Sequence, residues 1–206
     1  TQLTAGQAAA SSPPVASPQP TSGPGARPDT RTQYPALLRN SYVSVHIGYI
    51  DYPFSARQLE PGFQVGSIGI PHVAVRAALF GHQFTRHLAV QAAYMRPVSF
   101  VSYRTINGQA GGHHVWMSYG GASLRVQQPV SKRVSVSGEL GVGITTRAGF
   151  EQGGITVVKS ASFGSVVIGA AVDVRVNTRW DLTAGTTFLP AHGPSSQPRT
   201  LFTSGG

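Results

Sequence analysis

Short runs in which apolar and polar residues alternate strictly constrain the fold of this chain more than any other feature. The clearest run is Val134–Thr145. Its apolar members occupy every second position, and they are Val134, Val136, Leu140, Val142 and Ile144. Because successive side chains of a β-strand point to opposite faces, this run predicts a strand with one apolar and one polar face.

The same alternation recurs along the chain from Asn40 onward. The other runs cover 43–49, 73–79, 88–94, 115–127, 166–174, 180–188 and 200–206. The run at 115–127 alternates less cleanly. The final run stops at Gly206 and is too short for a full strand, so we expect a truncated last strand. Together the runs predict an all-β fold of eight strands.

The connections between these runs alternate between long and short. The long ones are 52–71, 97–113, 146–161 and 189–199, and the short ones are 84–87, 128–133 and 176–179. Long loops at one end and short turns at the other are typical of outer-membrane barrels, whose short turns face the periplasm. A soluble sandwich has no reason to keep that order. We therefore predict an eight-stranded antiparallel up-and-down transmembrane β-barrel.

Composition agrees with strands that cross a membrane. Charged residues make up 11% of the chain, against roughly 25% in soluble domains, and there are 25 glycines. No stretch approaches the roughly 18 apolar residues of a membrane-spanning helix, so a membrane protein of this sequence would have to be a barrel. The absence of cysteine excludes disulfides and cysteine-bound metals.

The formal net charge of +9 raises the question of nucleic acid. The basic residues are scattered along the chain and form no stripe, and the sequence has no nucleic-acid-binding motif, so we expect no nucleic-acid partner. Solvated loops and charges in the barrel lumen explain the excess better. A second interpretation is contact with lipopolysaccharide phosphates through the loop residues Arg57, Arg104, Arg147 and Lys159.

Residues 1–39 differ from the rest of the chain because they are rich in Pro, Ala and Ser. Such a segment has too little apolar surface to offset the entropy lost on ordering. We expect residues 1–39 to be a disordered N-terminal segment and residues 40–206 to form the barrel.

Three segments resemble the OmpA-like β-barrel proteins of Gram-negative outer membranes. "FGHQFTRHLAVQAAYMRP" resembles the second-turn and third-strand region, "VSKRVSVSGELGVGITTRAGF" resembles the fifth strand, and "NTRWDLTAGTTFLP" resembles the penultimate strand. The resemblance covers 40–206 and implies an integral protein of the bacterial outer membrane. Members usually end on an aromatic residue that the assembly machinery recognises, whereas this sequence ends "TLFTSGG".

The polar side of the runs carries ionisable groups that a barrel would enclose. The expected lumen network consists of Arg76, Gln91, Arg125, Glu139, Asp173, Arg175 and Asp181, with His46 beside it. A barrel of eight strands is just wide enough for its own side chains, so these charges must pair. We expect Glu139 to pair with Arg76, Arg125 or both. A plug of ion pairs is favoured over a gated pore.

Aromatic residues lie near the ends of the runs, where a barrel would meet the membrane interface. The expected girdle consists of Tyr42, Tyr49, Tyr94, Trp116, Trp180 and Phe188. The alternative is the ordinary preference of aromatic residues for strands. The girdle is favoured because the central apolar positions are mostly aliphatic.

We predict a non-enzymatic structural or surface-interaction protein that needs no cofactor or metal and stands as a monomer among outer-membrane lipids and lipopolysaccharide. Its surface ligand is unknown. One alternative is a lipid A hydrolase, for which "PAHGPSSQP" offers His192, Ser195 and Ser196 but no acidic residue downstream. Another is a soluble lipocalin-like carrier with its apolar face inward. The adjacent His113 and His114, expected in a loop, and the irregularly spaced His72, His82 and His87 do not make a metal site.

Overall fold

The protein is described by a computed structural model that covers residues 35–52, 54–190 and 199–206. A short helix α1 (Ala36–Arg39) precedes the first strand, and a 3-10 helix spans Ala56–Gln58. The strands are β1 (Ser41–Asp51), β2 (Val65–Gly69), β3 (Val73–Gln83), β4 (Leu88–Pro97), β5 (Val101–Ile106), β6 (Gln109–Val115), β7 (Met117–Pro129), β8 (Val134–Arg147), β9 (Phe150–Gln152), β10 (Ile155–Val158), β11 (Ala161–Arg175), β12 (Asp181–Leu189) and β13 (Thr200–Gly205).

Eight of these strands close into an antiparallel barrel in the order β1-β13-β12-β11-β8-β7-β4-β3. This confirms the predicted fold class. The longest pairing joins β8 to β11, with Val134 opposite Val174 at one end and Arg147 opposite Ala161 at the other. The closing strand β13 pairs with Ile47–Asp51 of β1 and with Ala184–Leu189 of β12.

The expected disordered segment, residues 1–39, falls almost entirely outside the described residues. Of it, only residues 35–39 are described, and Ala36–Arg39 form one helical turn. The backbone N–H of Gln83 donates to the carbonyl of Asn40, which ties the start of β1 to the end of β3.

A β-bulge in β3 changes which residues face the lumen. The pairing with β4 skips between Ala78 and Phe80, and Leu79 and Phe80 both face outward with 65% and 38% exposure. Beyond the bulge, Gly81 faces the ring of Tyr42, and a Cβ there would lie 2.3 Å from the Cζ of that ring. Only glycine leaves room for the ring at this position.

Three long connections, expected as loops, fold into small sheets. β2, β5 and β6 form a three-stranded sheet, and β9 and β10 form a hairpin. The turn of that hairpin has two successive glycines, Gly153 and Gly154, with φ of 60° and 78°, as a tight hairpin turn requires. We call the described residues of 52–71, 98–116 and 148–160 the cap. The end of the barrel that carries it is the loop end, and the opposite end is the turn end.

The cap has an apolar core of its own, continuous with the loop end of the barrel. Cap members of this core are Tyr52, Phe54, Val101, Tyr103, Ile106, Val115, Val157 and Val158. Barrel members include Ile50, Met95, Leu189 and Phe202. Full burial of a side chain of this size stabilises by roughly 1.5–3 kcal/mol, so the cap is a packed structure.

Candidate functional site: the barrel lumen and the outer belt

Glu139 of β8 is the centre of a buried ion pair in the lumen. Its Oε1 accepts hydrogen bonds from the guanidinium of Arg76 on β3, from the hydroxyl of Ser123 at 2.6 Å and from the amide of Gln91 at 3.0 Å. The side chains of Arg76 and Glu139 are 11% and 10% exposed. A carboxylate with this set of donors is held as the anion in one orientation.

A second buried ion pair joins Arg125 of β7 to Asp173 of β11. The Arg125 Nη2 lies 2.5 Å from the Asp173 carboxylate, which also accepts from Thr183 Oγ1 at 2.7 Å and from Ser137 Oγ at 3.2 Å. Glu139 lies directly opposite Arg125 in the strand register, yet the guanidinium turns to Asp173. The structure therefore distributes the two arginines over two carboxylates, with Glu139 paired to Arg76 alone.

The lumen between these pairs is nearly filled. The remaining cavity measures about 30 Å³, and its lining includes Arg76, Glu139 and Arg125 together with His46 and Thr187. A water molecule needs roughly 10–15 Å³ of such space, so the cavity has room for about two waters. This geometry supports a plug of side chains.

Arg175 and Asp181 form the outermost pair, at the turn end of β11 and β12. Their charged atoms lie 3.8 Å apart, and the side chains are 36% and 31% exposed. This exposure places the pair at the mouth of the lumen and not at its centre. A solvent-exposed ion pair contributes little stability.

The outside of the barrel is covered by exposed aliphatic side chains. These include Val43, Val45, Ile47, Leu79, Leu124, Val126, Val136, Leu140, Val142, Ile144, Ile168, Val172 and Leu182, each at least 42% exposed. We call this surface the outer belt. On β8 it runs from Val134 to Ile144, which at 3.3 Å per residue and a tilt near 45° gives a height of about 23 Å.

Charges avoid the outer belt. On the described barrel strands, the charged side chains that face outward are Asp51 and Arg96, which lie at the loop ends of β1 and β4. The polarity of the barrel is therefore inverted relative to a soluble protein, with ion pairs inside and aliphatics outside.

The predicted aromatic residues divide between the two ends. Tyr49, Tyr94, Trp116 and Phe188 lie toward the loop end, where the first three are 55%, 37% and 44% exposed and Phe188 is half-buried. The Tyr49 ring stacks on His72 at 5.1 Å. At the turn end, Trp180 is 71% exposed, and Phe84, which the sequence interpretation did not include, is 60% exposed.

Tyr42 does not belong to the girdle, so its assignment was wrong. It lies on the same side of β1 as Ser44 and His46, and its hydroxyl donates to Gln91 Oε1 at 3.0 Å. The alternation along β1 already placed Tyr42 on the lumen side, and this parity was the signal that sequence reasoning overlooked.

The interpretation of four loop cations as lipopolysaccharide contacts also needs correction. Arg147 is 6% exposed, and its Nη2 donates to the Lys159 carbonyl at 3.2 Å, so it faces the interior. Lys159 pairs with Glu60 at 3.0 Å. Arg57 and Arg104 are exposed.

Burial raises the pKa of Tyr103 in the cap to about 12, and the positive charge of Arg147 opposes that rise. Burial also raises the pKa of Tyr52. Both phenols are therefore neutral at physiological pH. Both rings pack in the apolar core, and the hydroxyl of Tyr52 donates to the Pro71 carbonyl at 2.9 Å.

The histidines lie apart from each other or in aromatic contacts. His113 and His114 lie on β6 and not in a loop, and His113 stacks on Phe150 at 4.5 Å. Within the described ranges, no three His, Asp or Glu side chains converge as metal ligands would. His192, Ser195 and Ser196, the residues of the hydrolase alternative, lie outside the described residues.

No helix within the described residues is long and apolar enough to cross a membrane.

Solved structures with a similar fold include the attachment invasion locus protein Ail of Yersinia pestis, with a TM-score of 0.45 and 13% identity over 81% of this chain and 95% of Ail. Its complex with the heparin analogue sucrose octasulfate gives 0.48 and 14%, over 79% and 94%. The outer-membrane protein OprG of Pseudomonas aeruginosa gives 0.47 and 11%, over 81% and 94%. Likeness at this level concerns the fold alone.

No protein-family model matches the sequence, and the search of curated proteins finds no match. The resemblance to OmpA-like barrels in particular stays a prediction.

Proposed function

We propose that this chain is an integral barrel of a Gram-negative outer membrane, with a side-chain-filled lumen, whose cap makes contacts at the cell surface. The observation that carries the proposal is the inverted polarity of the barrel. Two ion pairs are enclosed, while Val43 and Val142 in the outer belt are 75% and 66% exposed.

The extent of the outer belt supports lipid as its surroundings. Exposed aliphatics occur on strands all around the barrel, whereas soluble monomers rarely expose contiguous apolar patches beyond a few hundred Å². In lipid the same surface costs nothing to expose, and the closed sheet pairs the backbone groups that hydrocarbon cannot solvate. A height of about 23 Å agrees with the roughly 25 Å band of known transmembrane barrels.

The soluble-carrier alternative requires the opposite polarity. A lipocalin-like barrel holds an apolar ligand against inward aliphatics, whereas the inward residues here include Arg76, Arg125, Glu139 and Asp173. A cavity of about 30 Å³ also leaves no room for such a ligand. The geometry therefore favours the membrane barrel.

The surface role is proposed for the cap. Its packed core supports exposed cations such as Arg57 on the 3-10 helix and Arg104 on β5. At the loop end of a membrane barrel these charges would face the leaflet and the medium outside the cell, where lipopolysaccharide phosphates are available partners. The role proposed for the described residues is binding and structure, and the residues of the hydrolase alternative lie outside them.

The test compares one cation in the outer belt with one in the cap. Leu140 in the outer belt is 62% exposed and Ile155 in the cap is 62% exposed. In a membrane, Leu140→Arg should destabilise the barrel by about 2–4 kcal/mol, since it places charge in hydrocarbon. Ile155→Arg should have an effect below about 0.5 kcal/mol.

The measurement is urea unfolding of the full chain in lipid vesicles, followed by the shift in gel mobility between unheated and heated samples. Equal tolerance of both substitutions, or a wild-type protein that stays in solution without detergent, would contradict the membrane assignment. A lipid A deacylation assay on the same preparation tests the hydrolase alternative, which requires product release that His192→Ala abolishes.

A further inference from the structure

The three short turns of the barrel share one local structure. In each, two successive backbone N–H groups donate to a single carbonyl, from Phe84 and Thr85 to Leu88, from Val130 and Ser131 to Val134, and from Val176 and Asn177 to Trp180. The second residue of each turn caps it with its side chain: Thr85, Ser131 and Asn177 accept from the N–H groups two and three residues further on. The turns are therefore rigid and equivalent in form.

This shared form gives each turn the same pattern of exposed side chains. The first position is apolar and exposed, with Phe84 at 60%, Val130 at 66% and Val176 at 58%. The third or fourth position is an exposed cation. These cations are Arg86, Lys132, Arg133 and Arg179.

The turn-end cations are not neutralised by neighbouring side chains. Within the described part of the chain, none of the four takes part in an ion pair. The described carboxylate side chains toward this end, Asp181 and Asp173, are already paired with Arg175 and Arg125. The loop end differs, because Asp51, Glu60 and Glu151 lie there among its cations.

We propose that the turn end binds the phosphates of anionic phospholipids in the leaflet that it faces. This inference rests on the proposed membrane function. The apolar first residue of each turn would enter the edge of the hydrocarbon, and the cation beside it would lie at the depth of the headgroup phosphates. Basic residues at a membrane surface attract anionic lipids over about a Debye length, and Arg adds directed hydrogen bonds to phosphate.

The apolar residues favour a lipid over a soluble polyanion. A soluble acidic polymer would engage the cations but leave Phe84, Val130, Val176 and Trp180 in water. A lipid headgroup satisfies both halves of the pattern at once. Trp180, 71% exposed and directly after the third turn, is the type of residue that anchors at a membrane interface.

Trp180 also supplies the probe. The chain has two tryptophans, so Trp116→Phe leaves Trp180, at the turn end, as the single tryptophan. The full chain with this change is reconstituted into nanodiscs of zwitterionic lipid that contain a low fraction of brominated phosphatidylglycerol or the same fraction of brominated phosphatidylcholine. Bromine on the acyl chains quenches tryptophan only at close range, so the quenching ratio measures which lipid is enriched beside the turns.

We expect the anionic lipid to quench Trp180 at least about twofold more than the zwitterionic one, with the excess lost at high salt. The quadruple variant Arg86→Gln, Lys132→Gln, Arg133→Gln, Arg179→Gln should bring the ratio to one. The matched control removes the same charge at the loop end through Arg57→Gln, Arg96→Gln, Arg104→Gln and Arg199→Gln, and it should keep the excess.

Three other outcomes are informative. Equal quenching by both lipids in the parent protein overturns the inference and leaves the membrane barrel standing. A loop-end variant that loses the excess as fully as the turn-end variant also overturns it, since net charge alone would then explain the effect. Absence of quenching by either lipid overturns the proposed membrane function itself.

Discussion

The interior of this barrel changes character along its axis. Inside the walls that carry the outer belt it holds the Arg76–Glu139 and Arg125–Asp173 ion pairs. At the loop end it becomes an apolar core in which Tyr103 is 0% and Ile106 is 1% exposed. The barrel sheet and the small sheets of the cap thus enclose two kinds of packing.

The difference follows from what lies outside the wall. In the proposed membrane placement lipid surrounds the barrel, so aliphatic side chains point outward and the lumen is left for polar groups that must satisfy one another. Where water surrounds the cap, apolar side chains have to turn inward to escape it. Apolar side chains therefore point outward from the barrel strands and inward from the cap strands, and the surrounding solvent determines which direction is favourable.

The largest expected effect comes from breaking one ion pair in the lumen. Glu139→Ala leaves Arg76 buried without its counter-ion, together with the unpaired donors of Gln91 and Ser123. We expect a loss of about 3–5 kcal/mol in the free energy of unfolding. Urea unfolding in vesicles, read by gel mobility, measures it.

Removing both partners tests whether the ion pair stabilises the barrel, or whether each buried charge only requires the other to be present. Arg76→Met with Glu139→Leu replaces the pair by apolar groups of similar size, and we expect stability within about 1 kcal/mol of the wild type, or higher. A double variant as unstable as Glu139→Ala would contradict this expectation and would show that the stability of the lumen depends on the charges themselves.

The next effect concerns the cap. Ile106→Ala removes a fully buried side chain and should cost about 2–4 kcal/mol. Because the cap packs mainly against itself and the barrel rim, we expect the loss to appear as local opening, measured by amide hydrogen exchange of β5 and β6.

Ile155→Ala is the control, since Ile155 lies in the same cap at 62% exposure and should shift exchange by less than about 0.5 kcal/mol. The barrel strands should keep their exchange rates in both variants. Faster exchange in β8 after Ile106→Ala would mean that cap and barrel unfold as one unit.

The contrast between the two levels also explains what the sequence could and could not predict. Strict alternation, as in Val134–Thr145, is strong where one face is aliphatic and exposed along the whole strand, so the eight barrel strands were predictable. The cap strands are short, and their apolar residues, such as Val101 and Val157, were assigned to long connections. Hairpin signals were nevertheless present in Asn107-Gly108 and Gly153-Gly154.

Partner choice inside the lumen was out of reach for a different reason. The sequence left Arg76, Arg125 or both as partners of Glu139, and the register places Arg125 opposite Glu139. The outcome depends on which carboxylate the long side chain of Arg125 meets across the barrel, and Asp173 lies two strands away. Closure of the barrel brings that carboxylate into reach, and no local pattern encodes it.

A third prediction uses the buried phenol of the cap. With its pKa raised to about 12, Tyr103 stays neutral in the folded cap at pH values where an unfolded tyrosine, near 10, loses its proton. The cap is therefore fully stable below pH 10 and loses on the order of 2–3 kcal/mol as the pH rises from 10 to 12. Tyr103→Phe should remove this loss.

The measurement is the phenolate absorbance of wild type minus that of Tyr103→Phe, titrated in detergent. A difference curve with its midpoint near pH 12 agrees with a dry cap. A midpoint near pH 10 would mean that water reaches Tyr103, and the description of the cap as a dry apolar core would then be wrong.

The smallest expected effect concerns Tyr42, whose side chain lies in the polar lumen. Because its hydroxyl donates to Gln91, Tyr42→Phe leaves a buried acceptor unpaired and should cost about 1 kcal/mol in urea unfolding. Tyr49→Phe, whose ring is 55% exposed on the outer surface, should stay within about 0.5 kcal/mol. Equal and negligible effects would return Tyr42 to the membrane interface and remove it from the polar lumen. A loss at Tyr42 alone fits only a lumen whose hydrogen bonds stabilise the barrel from inside.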